Sequence, residues 1–270
     1  MTPKIDWRGD VSQGTAFLRI GGGIGIALGV VMLLFVGHQL FITDIVAGMR
    51  QQEATATLME RWRDGPTAPV PVSVSEGDGT ARLYAPSLGR EFAYTVLEGT
   101  TEDTLAAGPG HYSDTAHPGE PGNFAVAGHH VTNGAPFRDI GSLGSCDPLV
   151  VETSSEWLVY RVLPLADEVS GWADGKGAQE RCRGVAPLPP PYDAVPGAQV
   201  VPPSAVQVVA PVPGARDVEV APAERARLIT LTTCYPAFSA RERLVVHGVL
   251  VARRPHSAAS PSELAEGTSR

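Results

Sequence analysis

The pattern of apolar and polar positions divides the chain into two unlike parts. Residues 20–42 read IGGGIGIALGVVMLLFVGHQLFI and contain no Asp, Glu, Lys or Arg. At about 1.5 Å of rise per residue, this run makes a helix of roughly 34 Å, enough to cross a bilayer core of about 30 Å. It is longer than the apolar stretch of a signal peptide, and no small-x-small cleavage site follows closely. The pattern therefore predicts a retained transmembrane anchor rather than a removed leader. Lys4, Arg8 and Arg19 precede the run, whereas Asp44, Arg50 and Glu53 follow it. This bias predicts that residues 1–19 are cytoplasmic and that the rest of the chain lies outside the cell, on a single-pass membrane protein.

Beyond the anchor the pattern changes twice. Residues 44–64 are rich in helix formers and end at Gly65-Pro66, which predicts a juxtamembrane helix. Residues 65–79 (GPTAPVPVSVSEGDG) read as an extended linker, so 43–80 form a connector and the folded domain spans about 81–255. Within it, short runs rich in Val, Leu, Ile and Thr alternate with turn residues. ARLYAPSLG, REFAYTVLEG, NFAVAGHH, DPLVVET, EWLVYRVLPL, RLITLTTC and RLVVHGVLV each read as strand, and a short helix is expected between Thr101 and Gly108. About eight short strands and few helices predict a mainly β domain closed, or nearly closed, into a barrel. Residues 166–199 have no period and are polar, then proline-rich, which reads as a long surface insertion. Residues 256–270 read as a disordered tail.

Composition removes several function classes. The formal net charge is −8 and no basic run stands out, so phosphate neutralisation, and with it nucleic-acid binding, is not expected. The three cysteines, Cys146, Cys182 and Cys234, form no CxxC, and no metal site or cofactor is predicted. An odd number leaves at least one thiol outside any disulfide scheme.

Three strand ends carry candidate chemistry. Cys234 closes the run LTTC, where a thiol would face a barrel rim; taken alone it could equally be a buried structural cysteine. His129 and His130 end another strand, and because successive strand residues face opposite ways, only one of them can share a face with a given neighbour. Arg243 opens RLVVHGVLV, with Arg241 as its rival. Each taken singly is an ordinary strand-end residue. Together they supply a thiol that needs help to ionise, an imidazole that can move a proton, and a permanently charged donor for an oxygen or a substrate backbone.

At these residues the chain resembles the sortases. TLTTC ending at Cys234 fits the TLxTC signature, with Arg243 before Leu-Val-Val and an upstream AGHH strand bearing His129. GPGHYSDTAHPGEPGNFAVAGHHVTNGAPF, APVPG at 210–214 and CYPAFSARERLVVHG at 234–248 are most similar to actinobacterial class E sortases. The resemblance implies an eight-stranded sortase barrel and a cysteine transpeptidase. Such an enzyme cleaves an LAxTG-like or LPxTG-like sorting signal of secreted proteins between Thr and Gly, through a thioester on Cys234. An amine of a peptidoglycan precursor then resolves the thioester. It implies acid/base work for His129, substrate positioning and an oxyanion role for Arg243, an oxyanion contribution from Thr233, and a pocket-lining role for Tyr112. His130 stands where similar chains often carry Arg, which would alter the pocket rim. With Cys234 so assigned, Cys146 and Cys182 could pair outside the cell and pin the insertion to the barrel, or remain separate thiols. A narrow-range pilin-linked or hydrolytic sortase, and a degenerate anchored binding domain, are the alternatives. The only Asp-Pro, Asp147-Pro148, follows the His strand, unlike the lid of pilin-polymerising members.

Overall fold

The structure, a computed structural model, describes residues 10–37, 43–64, 74–215 and 218–268. The chain forms two compact units, 1–43 and 44–270. In the first, helix α1 spans Asp10–Gly37, and residues 21–35 are all exposed. Residues 38–42, the end of the predicted span, lie outside the described residues. Among the described residues, no helix is long and apolar enough to cross a membrane.

The second unit opens with helix α2 (Thr43–Asp64), continues through strands β1 (Gly79–Tyr84) and β2 (Ala93–Glu98), and reaches helix α3 (Glu102–Ala107). Seven further strands follow: β3 (Gly110–His111), β4 (Gly122–Ala127), β5 (Pro148–Glu152), β6 (Glu156–Val162), β7 (Ala198–Val201), β8 (Arg227–Tyr235) and β9 (Glu242–Pro255). Eight of the nine strands make a ring in the order β6-β5-β1-β2-β3-β4-β8-β9, closed by antiparallel pairing of β9 back onto β6. The ninth, β7, pairs with the first part of β9 from Arg243 to Val246, leaving the rest of β9 to β6. Most neighbours are antiparallel; β2–β3 and β4–β8 are parallel. Closure removes free sheet edges and lets each strand bury alternate apolar residues inside. Phe124, Val126, Leu158, Tyr160, Ile229 and Leu231 are among that interior.

Four features of the domain differ from the expectation. First, α2 is no free spacer. Gln51 brackets the backbone of Thr95, donating to its carbonyl at 3.0 Å and accepting from its N–H at 2.9 Å. Thr55 bonds the Thr95 hydroxyl at 2.7 Å, Arg61 donates to the Gly79 carbonyl at 3.0 Å, and Ala47 and Leu58 are buried. The compact unit therefore begins well before Ala81; residues 65–73 of the expected linker lie outside the described residues. Second, β3 and β7 are short strands that the sequence pattern does not announce, because two and four residues show no period.

Third, the 166–199 insertion packs down. Cys146 and Cys182 form a disulfide across a separation of 36 residues, and Trp172 and Val185 pack around it against Val251. Closing a loop of that length contributes about 3–4 kcal/mol in a chain-entropy account. The Trp172 indole donates to the Val185 carbonyl at 3.1 Å, and Arg181 pairs with buried Asp147. At the far end, Gly197 lies so close to Leu163 that a Cβ would sit 2.0 Å from its carbonyl oxygen, so only glycine fits. Fourth, the tail expected to be disordered forms a 3-10 helix, Ser262–Thr268. The physical cause is Arg161, 7 % exposed, whose guanidinium is met by both carboxylate oxygens of Glu266 at 2.8 and 2.9 Å, with Glu263 nearby at 3.9 Å. A buried guanidinium needs such partners.

Replacing Glu266 and Glu263 together by Gln should therefore lower the melting temperature. The expected loss is about 1 kcal/mol, or about 2–4 °C, held down because Glu266 is partly exposed. The same change at Glu180, whose exposed pairing with Arg183 lies on the surface, should leave the melting temperature unchanged. Thermal unfolding followed by circular dichroism decides it.

Candidate active site

Period-two alternation on β8 builds the site. Ile229 and Leu231 point into the barrel, so Thr230, Thr232 and Cys234 point out. Cys234 is a free, half-buried thiol. Arg243 is its direct partner across the β8–β9 ladder, and so shares its face. Arg241 precedes β9 and is exposed, which separates the two rival arginines by register. The Arg243 guanidinium bends back on the hairpin, donating to the carbonyls of Ala240 at 3.3 Å and Glu242 at 3.0 Å.

The histidine comes from the parallel neighbour. Ala127 of β4 is in register with Thr232. One residue on, Gly128 donates to the Thr232 carbonyl at 3.0 Å and accepts from the Thr233 hydroxyl at 2.7 Å. β4 ends at Ala127, so His129 follows two residues beyond its last pairing with β8. Gly128 is required: a Cβ there would meet the Phe137 ring at 2.6 Å, and Phe137 in turn donates its N–H to the His129 carbonyl at 3.0 Å. His129 is half-buried. Loss of hydration holds its pKa below the usual 6.5, and the negative charge of Glu102 opposes that shift.

Three other expected site residues take definite places. The Thr233 hydroxyl is buried and spends its one proton on Gly128, on the opposite face from the thiol. It ties two strand ends together. His130 donates from Nδ1 to the carbonyl of Cys234 itself, at 2.7 Å, and its ring lies 6.4 Å from Tyr235. A contact to the backbone of Cys234 was not foreseen, since no sequence signal reports a side chain reaching across to a neighbouring strand. Tyr112, just past β3, has its hydroxyl 3.0 Å from that of Thr232, on the outward face two residues from Cys234.

A polar chain under the same face was missed altogether. Gln199 Nε2 lies 3.1 Å from His247 Nε2, His247 Nδ1 2.8 Å from the Thr230 hydroxyl, and that hydroxyl donates to Asn123 Oδ1 at 2.7 Å. The outward positions of RLITLTTC and RLVVHGVLV carry Thr and His within apolar runs, which is the one hint in the sequence. Among the described residues, no group of three or more His, Cys, Asp or Glu is placed to hold a metal ion.

A thiol, an imidazole and a guanidinium on adjacent strand ends suit acyl transfer through a covalent intermediate. Comparison with known proteins agrees: the sortase domain family model matches residues 83–251. The chain belongs to the sortase family. Sortase SrtE1 of Streptomyces coelicolor is 34% identical over 253 residues, covering 91% of this chain but 60% of that protein's length, so the chain spans less than two thirds of this relative. Among solved structures, the SrtF sortase of Corynebacterium diphtheriae is 37% identical, with a TM-score of 0.63, over 76% of this chain and all of that one. Sortase E1 of S. coelicolor, solved with a tripeptide in its active site, is 32% identical, with a TM-score of 0.52, over 71% and 99% of the two chains. The eight-stranded barrel is thus the sortase fold, and members of this family are cysteine transpeptidases.

His247 makes a stability prediction for this sortase domain. Full burial pushes its pKa down to about 3, from an ordinary 6.5 when unfolded. Between those values the unfolded chain binds the extra proton. Stability is therefore complete above about pH 6.5 and falls as the pH drops toward 3, by at most about 1.4 kcal/mol per pH unit from this group. Urea midpoints measured across that window should fall less steeply for His247→Asn than for the unaltered chain.

Proposed function

We propose that the chain is a membrane-anchored cysteine transpeptidase that attaches secreted proteins to the cell wall. The observation that carries the reading is the pairing of Cys234 with Arg243 in register, with His129 at the adjoining strand end. In the first step the Cys234 thiol passes its proton to His129, and the thiolate so formed attacks the carbonyl carbon of Thr in an LAxTG-like or LPxTG-like signal. The oxygen becomes an oxyanion, and the C–N bond to Gly then breaks. His129 delivers a proton to the departing amine, leaving a thioester on Cys234. In the second step an amine of a peptidoglycan precursor attacks the thioester carbonyl. Its proton passes to His129, and the thiolate leaves. Arg243 turns from its hairpin carbonyls to donate to substrate oxygen, a role suited to a fixed charge with several donors. Tyr112, with Thr232, lines the groove next to the thiol.

Burial of His129 favours its neutral form, which equips it to receive the proton of the incoming amine. The charge-free run 20–42 supports an anchor with the N-terminus cytoplasmic and the catalytic domain outside. Similarity to sortase E1 fits the class E resemblance, and that resemblance implies the LAxTG preference.

Three experiments test the reading. A quenched LAxTG peptide with an amine acceptor should give an amine-linked product that disappears in Cys234→Ala; peptide release that never becomes acceptor-linked would instead mark a hydrolase. Arg243→Ala should lower kcat/KM by about 10²-fold or more, and Arg241→Ala by little. Glu102→Gln removes a charge that raises the His129 pKa. The limb of the pH–rate profile belonging to His129 should then move to lower pH, and a shift to higher pH would overturn the assignment.

A further inference from the structure

We infer that Glu98, with His111 and Ser113, forms a positioning device that fixes Tyr112 and so shapes the groove beside the thiol. This rests on the proposed transpeptidase reading, in which Tyr112 lines that groove. Tyr112 stands between two residues whose side chains end on one carboxylate. His111 Nδ1 lies 2.9 Å from Glu98 Oε2, and Ser113 hydrogen-bonds the same carboxylate. Glu98 closes β2 and His111 closes β3, and the two are partners in the parallel β2–β3 register. His111 also pairs with Val126 of β4, and its ring lies 5.1 Å from that of Phe124; both are core residues. The side chains at 111 and 113 therefore turn toward Glu98, and the one between them turns the other way. That one is Tyr112, whose hydroxyl lies 3.0 Å from that of Thr232, two residues from Cys234.

Hydrogen-bond accounting fixes the direction of each link. The Thr115 hydroxyl donates to the Tyr112 carbonyl at 2.7 Å, so toward His111 Nε2, 3.1 Å away, it only accepts. The Ala116 carbonyl, also 3.1 Å from Nε2, accepts as well. Nε2 therefore donates to the turn 112–116. For Glu98, burial pushes the carboxyl up, but hydrogen bonds from His111 and Ser113 outweigh it and hold its pKa below the usual 4.5. Glu98 is thus a carboxylate that accepts from both sides of Tyr112. The Tyr112 backbone is committed too: its N–H donates to the Ala125 carbonyl at 3.0 Å, and its carbonyl accepts from the Thr115 N–H at 2.8 Å. His111 is fully buried and Glu98 is 7% exposed, so losing the carboxylate strands a ring nitrogen away from water. Glu98 acts through Tyr112 and is a positioning residue, not a catalytic one.

The test compares Glu98→Gln, which keeps the size but offers one acceptor oxygen in place of two, with Ser113→Ala and the hydroxyl-retaining Ser113→Thr, all in the full chain. Ser113 is exposed, so its variants leave the buried pair in place. The readouts are steady-state cleavage of a quenched LAxTG peptide with amine acceptor, and hydrogen exchange of the amides in 112–116. Glu98→Gln should raise KM about fivefold and Ser113→Ala about two- to threefold, with kcat within about twofold, while Ser113→Thr stays near the starting values. Glu98→Gln and Ser113→Ala should also speed exchange in 112–116. In a Tyr112→Ala background, Glu98→Gln should raise KM no further, because the ring it positions is gone. An undiminished rise in that background would make Glu98 a general support of the fold and overturn the inference. So would unchanged KM in Ser113→Ala and in folded Glu98→Gln. If the unaltered chain cleaves no signal peptide, the transpeptidase reading has failed. Exchange then still decides the device itself, and unaltered protection of 112–116 in Ser113→Ala and Glu98→Gln rejects it.

Discussion

The register between β8 and β9 is the constraint on which the site depends. A slip of one residue in a strand pair turns every side chain to the other face. Ile229 and Leu231 of β8, and Leu244 and Val246 of β9, are buried inside the barrel. Each contributes about 1.5–3 kcal/mol by leaving water. Shifting β8 by one position would move threonines into the core and its leucine and isoleucine out of it. The same burial that holds the barrel closed therefore keeps Cys234 outward and opposite Arg243. The alignment of Cys234 with Arg243 needs no separate source of energy, because the apolar half of the alternation enforces it.

That explains why this part of the protein is legible from sequence. RLITLTTC and RLVVHGVLV state their faces by composition, and the short helix after Thr101 is announced by its cap, whose hydroxyl accepts from Thr104 N–H. The unread parts share a different physical character. The docking of α2 uses Gln51 and Thr55 against Thr95 and Arg61 against the Gly79 carbonyl, and the tail is ordered by carboxylates that answer a buried Arg161. Such long-range polar pairings leave no period in the sequence. The insertion looked like a solvated loop because its apolar residues are scattered. Trp172, Cys182 and Val185 converge only once the disulfide to Cys146 and the β9 surface bring them together. Arg243 over Arg241, likewise, could be decided only by where β9 begins pairing.

The outer face of β4 and β8 solves a packing problem opposite to that of the core. Where the core takes large apolar side chains, this face carries Asn123, Ala125 and Ala127 beside Thr230, Thr232 and Cys234. Small polar residues leave room, but each buried polar atom then needs a partner. Among the described residues the only buried side-chain nitrogen or oxygen without one is Nε of Arg82, on the other side of the ring order. A fully satisfied network in a low-dielectric setting favours one arrangement over many.

The two neighbouring histidines show how the fold separates fixing from reacting. Thr233 donates to the carbonyl of Gly128, while His130 donates to the carbonyl of Cys234, so the ends of β4 and β8 are tied in both directions. Both acceptors are backbone carbonyls, which do not titrate, and the cross-tie therefore does not depend on a charge. His130 is committed to that bond through Nδ1. The His129 ring makes no hydrogen bond among the described residues, and its proton affinity is set by burial against the field of Glu102. A residue that must take up and release a proton in each cycle works best when no structural bond is broken by either event. His130 thus holds the backbone of Cys234, while the His129 side chain carries no structural hydrogen bond among the described residues.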